Sequence, residues 1–300
     1  TYTASMDGKI EMQNDRIVVL PVHEVSGNAE LADGNIDFRG DIVIHGNVES
    51  GVSIRATGSI TIDGVAEACM LEAGKDIILR GGMLGGNKAS VKTKGAITAK
   101  FFEFTNILCE GDLQADVLMD CSVICHGQIR LTGRKGSIIG GKVQAIRGLI
   151  ATSLGNDAEK RTEIFVGAGI DVYSRLRVME KKIETTREEL TKIEEGLEKF
   201  EILTKERGVS YTNDPRRTSL LRIKIKDSAM LASDEEEVRK LRILAESSRG
   251  ACVSVLQEIY PGVVINMDEL KLTLKNMATG VEFYKLPDKI GTRPCSAGVE

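Results

Sequence analysis

Four groups of residues have the types and spacing that chemistry uses. GSIIGGKV, Gly136 to Val143, reads G-x-x-x-x-G-K, the opening of a P-loop, in which backbone N–H groups and a lysine hold nucleotide phosphates. Val143 stands where a P-loop has the Ser or Thr that holds Mg²⁺, so a nucleotide hydrolase at Gly136–Lys142 would lack that ligand. Cys121, Cys125 and His126, with Cys109 upstream, offer soft and imidazole donors, but a structural zinc site takes four convergent ligands. His45 and His126 each precede a glycine, the place where an acyltransferase would keep a histidine base. The acidic pairs Glu188-Glu189 and Glu194-Glu195 lie in a charged run that reads as a solvated helix face, not as an acid/base pair.

The elements that must position these residues are two. Through the first half, glycines recur just ahead of short apolar runs: Gly40-Asp-Ile, Gly58-Ser-Ile, Gly95-Ala-Ile, Gly111-Asp-Leu, Gly127-Gln-Ile and Gly148-Leu-Ile, with Lys75 in the same slot between the second and third. The anchors stand at 40, 58, 75, 95, 111, 127 and 148. Two residues past them come Ile42, Ile60, Ile77, Ile97, Leu113, Ile129 and Ile150; four residues before them come Ile54, Leu71, Val91, Ile107 and Val123. Alternation within the repeat is strand periodicity with one buried face, and repetition at this length is one solenoid coil per repeat. The prediction is a mainly β fold with an α insertion: a single-stranded parallel β-helix. Its inward columns are Ile, Val, Leu, Ala and Cys, with glycines at the corners to reach backbone angles closed to other residues. A narrow β-helix has little room for large rings, in keeping with aromatics at only 4% and no Trp.

From Val172 the period changes. Val172, Leu176, Met179, Ile183, Thr186, Leu190, Ile193, Leu197 and Phe200 alternate steps of four and three, a heptad seam. RGVSYTNDP, Arg207 to Pro215, breaks it. A second helix is predicted from about Arg216 to Tyr260, with the seam Val238, Leu241, Ala245, Ser248, Cys252, Val255 and Ile259, ended by Pro261-Gly262. Two helices joined by a short turn make a long antiparallel coiled-coil hairpin. VVI at Val263–Ile265 and VEFY at Val281–Tyr284 are strand-like and return the chain to add or cap a coil. The expected divisions are 1–37, a segment leading into the β-helix; 38–170, the β-helix; 171–260, the hairpin; and 261–300, the return.

GSIIGGKV sits inside that repeat. QAIRGLIA after it continues as strand, where a P-loop needs a helix. GMLGGNKA, Gly82 to Ala89, is a near twin, and both fall in the longest coils, so both read as one kind of corner insertion. Cys109 and Cys125 share an inward column and read as small core residues. No catalytic residue, metal or cofactor is assigned. The candidate contact residues lie at the hairpin tip: Tyr211, Arg216 and Arg217.

The run GNIDFRGDIVIHGNVESGVSIRATGSITIDGVAEACMLEAGKDI, Gly34 to Ile77, resembles the flagellar assembly protein A family, as do GSIIGGKVQA and the IYPGVVI that follows the helices. The resemblance implies a right-handed parallel β-helix, similar to the C-terminal domain of the division inhibitor MinC, with an inserted antiparallel coiled coil. It implies a non-catalytic role in flagellation, and partners such as a phosphotransferase-system, flagellar or polar protein. Family members usually carry a further N-terminal domain, so a chain opening at Thr1 is expected to be an excised segment.

Bulk properties agree. A net charge of −4 does not favour nonspecific nucleic-acid binding, no apolar run of membrane-spanning length exists, and six irregularly spaced cysteines do not form a disulfide framework. The expectation is a cytoplasmic, non-catalytic scaffold or regulatory protein-binding module, homo-oligomeric through the β-helix. The alternative is an enzyme, either a nucleotide hydrolase at Gly136–Lys142 or an acyltransferase at a corner histidine.

Overall fold

The computed structural model describes residues 9–13, 16–208, 210–212 and 214–295. They fall into two compact units: Thr1–Gly169 with Ser248–Glu300, and Ile170–Ser247.

The first unit is a β-solenoid. Each coil has three sides, taken in chain order. On the first side Val22–Val25, Asp41–Ile44, Ile60–Ile62, Ile77–Leu79, Ile97–Ala99, Leu113–Gln114 and Ile129–Leu131 stack in parallel. The opening residues of Leu149–Leu154 and Cys252–Ile259 continue the stack. These nine rungs make about eight turns. The second side begins as single bridges, Ala29–Val48–Ala66–Met83, and continues through Phe102, Leu118, Ile138, Leu154 and Ile259. The third side runs from Ile36–Phe38 through Ser53–Ala56, Met70–Ala73, the end of Met83–Thr93, the end of Phe101–Cys109, Ser122–Cys125, Gly141–Ala145 and Thr162–Val166 to Val263–Met267.

The predicted anchors stack on one another. N–H of Gly58 donates to Gly40 O at 2.9 Å, Lys75 to Gly58 at 3.1 Å, Gly95 to Lys75 at 3.2 Å, Gly111 to Gly95 at 2.9 Å and Gly127 to Gly111 at 3.0 Å. The last step departs from expectation: Arg147, not Gly148, bonds Gly127 O, at 3.1 Å. Leu149 is therefore the inward residue opposite Ile129, and Ile150 lies opposite outward Arg130. A one-residue slip exchanges the two faces of a strand, because side chains alternate with period two. The inward column Ile42, Ile60, Ile77, Ile97, Leu113, Ile129, Leu149 and Val253 is fully buried. Each such side chain contributes about 1.5–3 kcal/mol of burial.

The corner glycines have a different physical cause from the one predicted. Of the glycine anchors, only Gly40 and Gly148 have positive φ, 153° and 117°. At Gly58, Gly95 and Gly127 a Cβ would overlap Oδ1 of Asp41, Asp76 and Asp112, one coil earlier. The same oxygens accept the N–H of Ser59, Ala96 and Gln128 at 2.7, 2.7 and 2.8 Å. Glycine is required there by close approach of the coil before it, through that carboxylate and through the backbone of the preceding anchor.

The solenoid starts earlier than predicted, since Val22–Val25 and Ile36–Phe38 already pair with the next coil. In this first coil His23 occupies the column that is isoleucine above it, and its ring packs on Phe38 with centroids 5.5 Å apart. At the other end Cys252–Ile259 and Val263–Met267 add a parallel coil. Leu270–Thr273, Ala278–Lys285 and Ile290–Pro294 then pair antiparallel and cover the open edge.

The second unit holds two helices, α1 (Gly169–Arg207) and α2 (Pro215–Ser247). Ile183, Thr186 and Leu190 of α1 are buried, as are Asp234, Val238 and Leu241 of α2. Ion pairs join the helices: Arg175 with Glu237, Glu180 with Arg242 at 2.7 Å, Lys182 with Asp234 at 2.7 Å and Glu194 with Lys224 at 2.7 Å. α2 stops at Ser247, before the predicted end at Tyr260, and Gly250 follows with φ 77°. Cys252, Val255 and Ile259, predicted on the helix seam, belong to a strand whose inward residues are Val253, Val255 and Ile259. The spacing of 252, 255 and 259 imitates a heptad, but the β-branched alternation around Ser254 fits a strand.

Candidate functional site

The P-loop-like stretch turns a corner. Ser137–Ile139 forms the second side of its coil, Gly140 and Gly141 take φ of 71° and 75°, and Gly141–Ala145 runs on as the third side. A strand follows the glycines, so the loop has no helix N-terminus with which to hold phosphate. Gly140 N–H is already engaged by Thr162 Oγ1 at 2.9 Å. Lys142 is exposed, between Ser122 and Glu163 of the adjacent coils, and its Nζ lies 4.6 Å from the centroid of the Phe165 ring. Beside it opens a shallow cavity of about 370 Å³ whose lining includes Asn87, Phe104, Asn106, Ser122 and Arg161. The carboxylates at this cavity are neutralised, Asp120 by Lys160 and Glu163 by Arg161.

GMLGGNKA occupies the same corner but differs from GSIIGGKV in what it does there. From Met83 to Val91 the chain takes eight steps between the second and third sides, against five from Phe102 to Ile107. Leu118 to Val123 and Ile138 to Val143 also take five. The glycine-rich turn therefore lengthens the fourth coil only. The extra residues of the seventh coil lie one corner earlier: Ile129 to Ile138 takes nine steps, where Leu113 to Leu118 takes five. The inserted stretch is Thr132–Gly136, TGRKG. The two motifs look alike in sequence because both supply left-handed residues to the same corner, as Asn87, Phe104 and Asp120 do with φ of 62°, 46° and 51°.

Cys69, Cys109, Cys121 and Cys125 are core residues. Cys109 and Cys125 are opposite one another on adjacent coils, and their thiols donate to the carbonyls of Gly95 at 3.3 Å and Gly111 at 3.2 Å. Cys121 Sγ donates to Met119 O at 3.3 Å. Burial pushes the Cys121 thiol up to about 11 and the Cys69 thiol up to about 12. Cys125 is pushed up by its hydrogen bond with Cys109 first and by burial second. Among the described residues no group of three or more His, Cys, Asp or Glu side chains converges as metal ligands do.

The two corner histidines are at different corners. His45, between the first and second sides, has Nδ1 2.9 Å from Asp63 Oδ2, and Arg80 Nε lies 3.4 Å from Asp63 Oδ1. His126, between the third and first sides, donates its backbone N–H to Cys109 O at 2.9 Å.

The tip residues lie where α1 gives way to α2. Tyr211 is half-buried, its ring tilted against Phe200 with centroids 6.2 Å apart. Asp214 caps α2, accepting the backbone N–H of Arg216 at 2.8 Å through Oδ1 and that of Thr218 at 3.0 Å through its carbonyl. Arg216 is exposed and Arg217 partly so. Val209 and Asn213 of the predicted tip lie outside the described residues.

Stacked coils with a helical unit spliced between two of them define a β-solenoid protein with an insertion. The family follows from the chain as a whole: residues 21–290 match the model of the flagellar assembly protein A β-solenoid domain, so the chain belongs to that family. No curated protein and no solved structure gives a significant match. Among the described residues no helix is long and apolar enough to cross a membrane.

Proposed function

We propose that this chain is a non-catalytic scaffold or regulatory protein-binding module of the cytoplasm, linked to flagellar assembly or its regulation, whose helices form an antiparallel coiled-coil arm. One observation carries this reading. The chain leaves the solenoid after Thr162–Val166, makes both helices, and re-enters at Cys252 in register with the previous coil: Leu149 opposite Val253, Thr162 opposite Val263. The stack is continuous across the insertion, so the helices are not needed to complete it. An element dispensable for stacking and carrying its own buried seam is suited to display. The tip residues Tyr211, Arg216 and Arg217 offer an aromatic face and guanidinium donors, residue types enriched where protein partners are held. Homo-oligomerisation runs through the solenoid.

The test is capture of partners from native lysate by the full chain, by the chain with 170–247 replaced by a short flexible linker, and by Arg216→Glu/Arg217→Glu. Circular dichroism confirms that each variant retains its strands. Loss of the same partners from both variants supports the arm; an unchanged partner set in both removes it.

A further inference from the structure

The second side of the solenoid carries an apolar opening that stacking does not explain. In coils five and six its outward residues are Phe101, Glu103, Val117 and Met119, and Leu84 of coil four stands beside them, 45% exposed. They line a cavity of about 380 Å³. Lys100, Arg134 and Lys135 also line it, against two carboxylates, Glu103 and Asp116. None of the three cations forms an ion pair among the described residues.

Coils four and seven, both lengthened, bracket this opening. Coil four is lengthened just past Leu84, at the corner to the third side, and coil seven at Thr132–Gly136, at the corner from the first side. Coils five and six between them keep short corners. The strands before and after Thr132–Gly136 remain in register with both neighbours, so the insertion serves no pairing need. It does bring exposed Arg134 and Lys135 to the cavity. Insertions in solenoids often fall on the face that binds, and an apolar pocket with a charged rim is the anatomy of a protein interface.

We propose that this cavity takes a short acidic peptide segment of a protein partner, with a large apolar side chain seated on Phe101, Val117 and Met119 and carboxylates beside Arg134 and Lys135. This deepens the protein-binding reading above and rests on it, but it uses a surface other than the arm.

The test is selection of a random-peptide library on the full chain, followed by fluorescence anisotropy of the enriched peptide. The expected peptides combine a large apolar residue with neighbouring Asp or Glu, and bind more weakly as salt rises. Arg134→Glu/Lys135→Glu on the exposed corner weakens them about ten-fold or more, while Arg134→Lys/Lys135→Arg largely retains binding. Val117→Asp abolishes binding; if it fails to fold, the corner variants decide alone. Arg216→Glu/Arg217→Glu leaves peptide binding unchanged, which separates this surface from the arm. Absence of any enriched peptide, enrichment of peptides without acidic residues, or equal binding to the charge-reversed corner overturns the proposal.

Discussion

Gly58 sits where the carboxylate of Asp41 leaves no space for a Cβ, and that carboxylate accepts the N–H of Ser59 at 2.7 Å. The pair is one rung of a relationship repeated at Asp76 with Gly95 and at Asp112 with Gly127. An acidic residue after one anchor adds to the backbone crowding that calls for glycine at the next, and the carboxylate satisfies a backbone donor inside the stack.

Gly58→Ala therefore destabilises by displacing Asp41 and freeing the Ser59 N–H, at a cost of about 1–3 kcal/mol. Asp41→Ala combined with Gly58→Ala costs less than the sum of the single changes, because the overlap with the carboxylate is gone and only that with the Gly40 backbone remains. Urea unfolding midpoints of the four proteins check this, and strict additivity would contradict it.

The slip at Arg147 makes a second pair informative. Leu149→Ala opens a cavity in a fully buried column and costs about 2–5 kcal/mol. Ile150→Ala, on the outward side of the same strand, costs well under half as much. The reverse order in thermal melting would restore Gly148 as the anchor.

In the helical unit Asp234 is 8% exposed and pairs with Lys182 at 2.7 Å. Lys182→Met leaves a buried carboxylate without its cation and lowers helix stability by about 1–3 kcal/mol. Asp234→Leu with Lys182→Met recovers most of that loss, as both charges are removed. Helical ellipticity followed through heating is the measurement.

The buried thiols set a pH dependence. Cys121 at about 11 and Cys69 at about 12 lie above their ordinary 9.0 because burial penalises the thiolate. The native state then holds these protons more tightly than the unfolded chain does. Their contribution is fully present below about pH 9 and is lost as pH rises toward 11–12. Cys69→Ala with Cys121→Ala should flatten the alkaline fall in the urea midpoint. An unchanged alkaline slope would assign that fall to other groups.

The repeat is legible in the sequence because its information is local. Inward Ile42, Ile60, Ile77 and Ile97 recur at coil spacing, and alternation around each names its buried face. The change to heptad spacing at Val172 is likewise a property of neighbouring residues, and α1 follows it. What only the tertiary structure decided is where each coil absorbs its variation. The slip to Arg147, the placing of the seventh coil's extra residues at Thr132–Gly136, and the end of α2 at Ser247 all depend on which backbone groups of the adjacent coil are available to pair. The cavity at Phe101, Val117 and Met119 is of the same kind: these three come from two coils, and Arg134 and Lys135 arrive from a third. Sequence fixes what a strand buries; the register between coils, set by hydrogen bonds across many residues, fixes what its other face gathers.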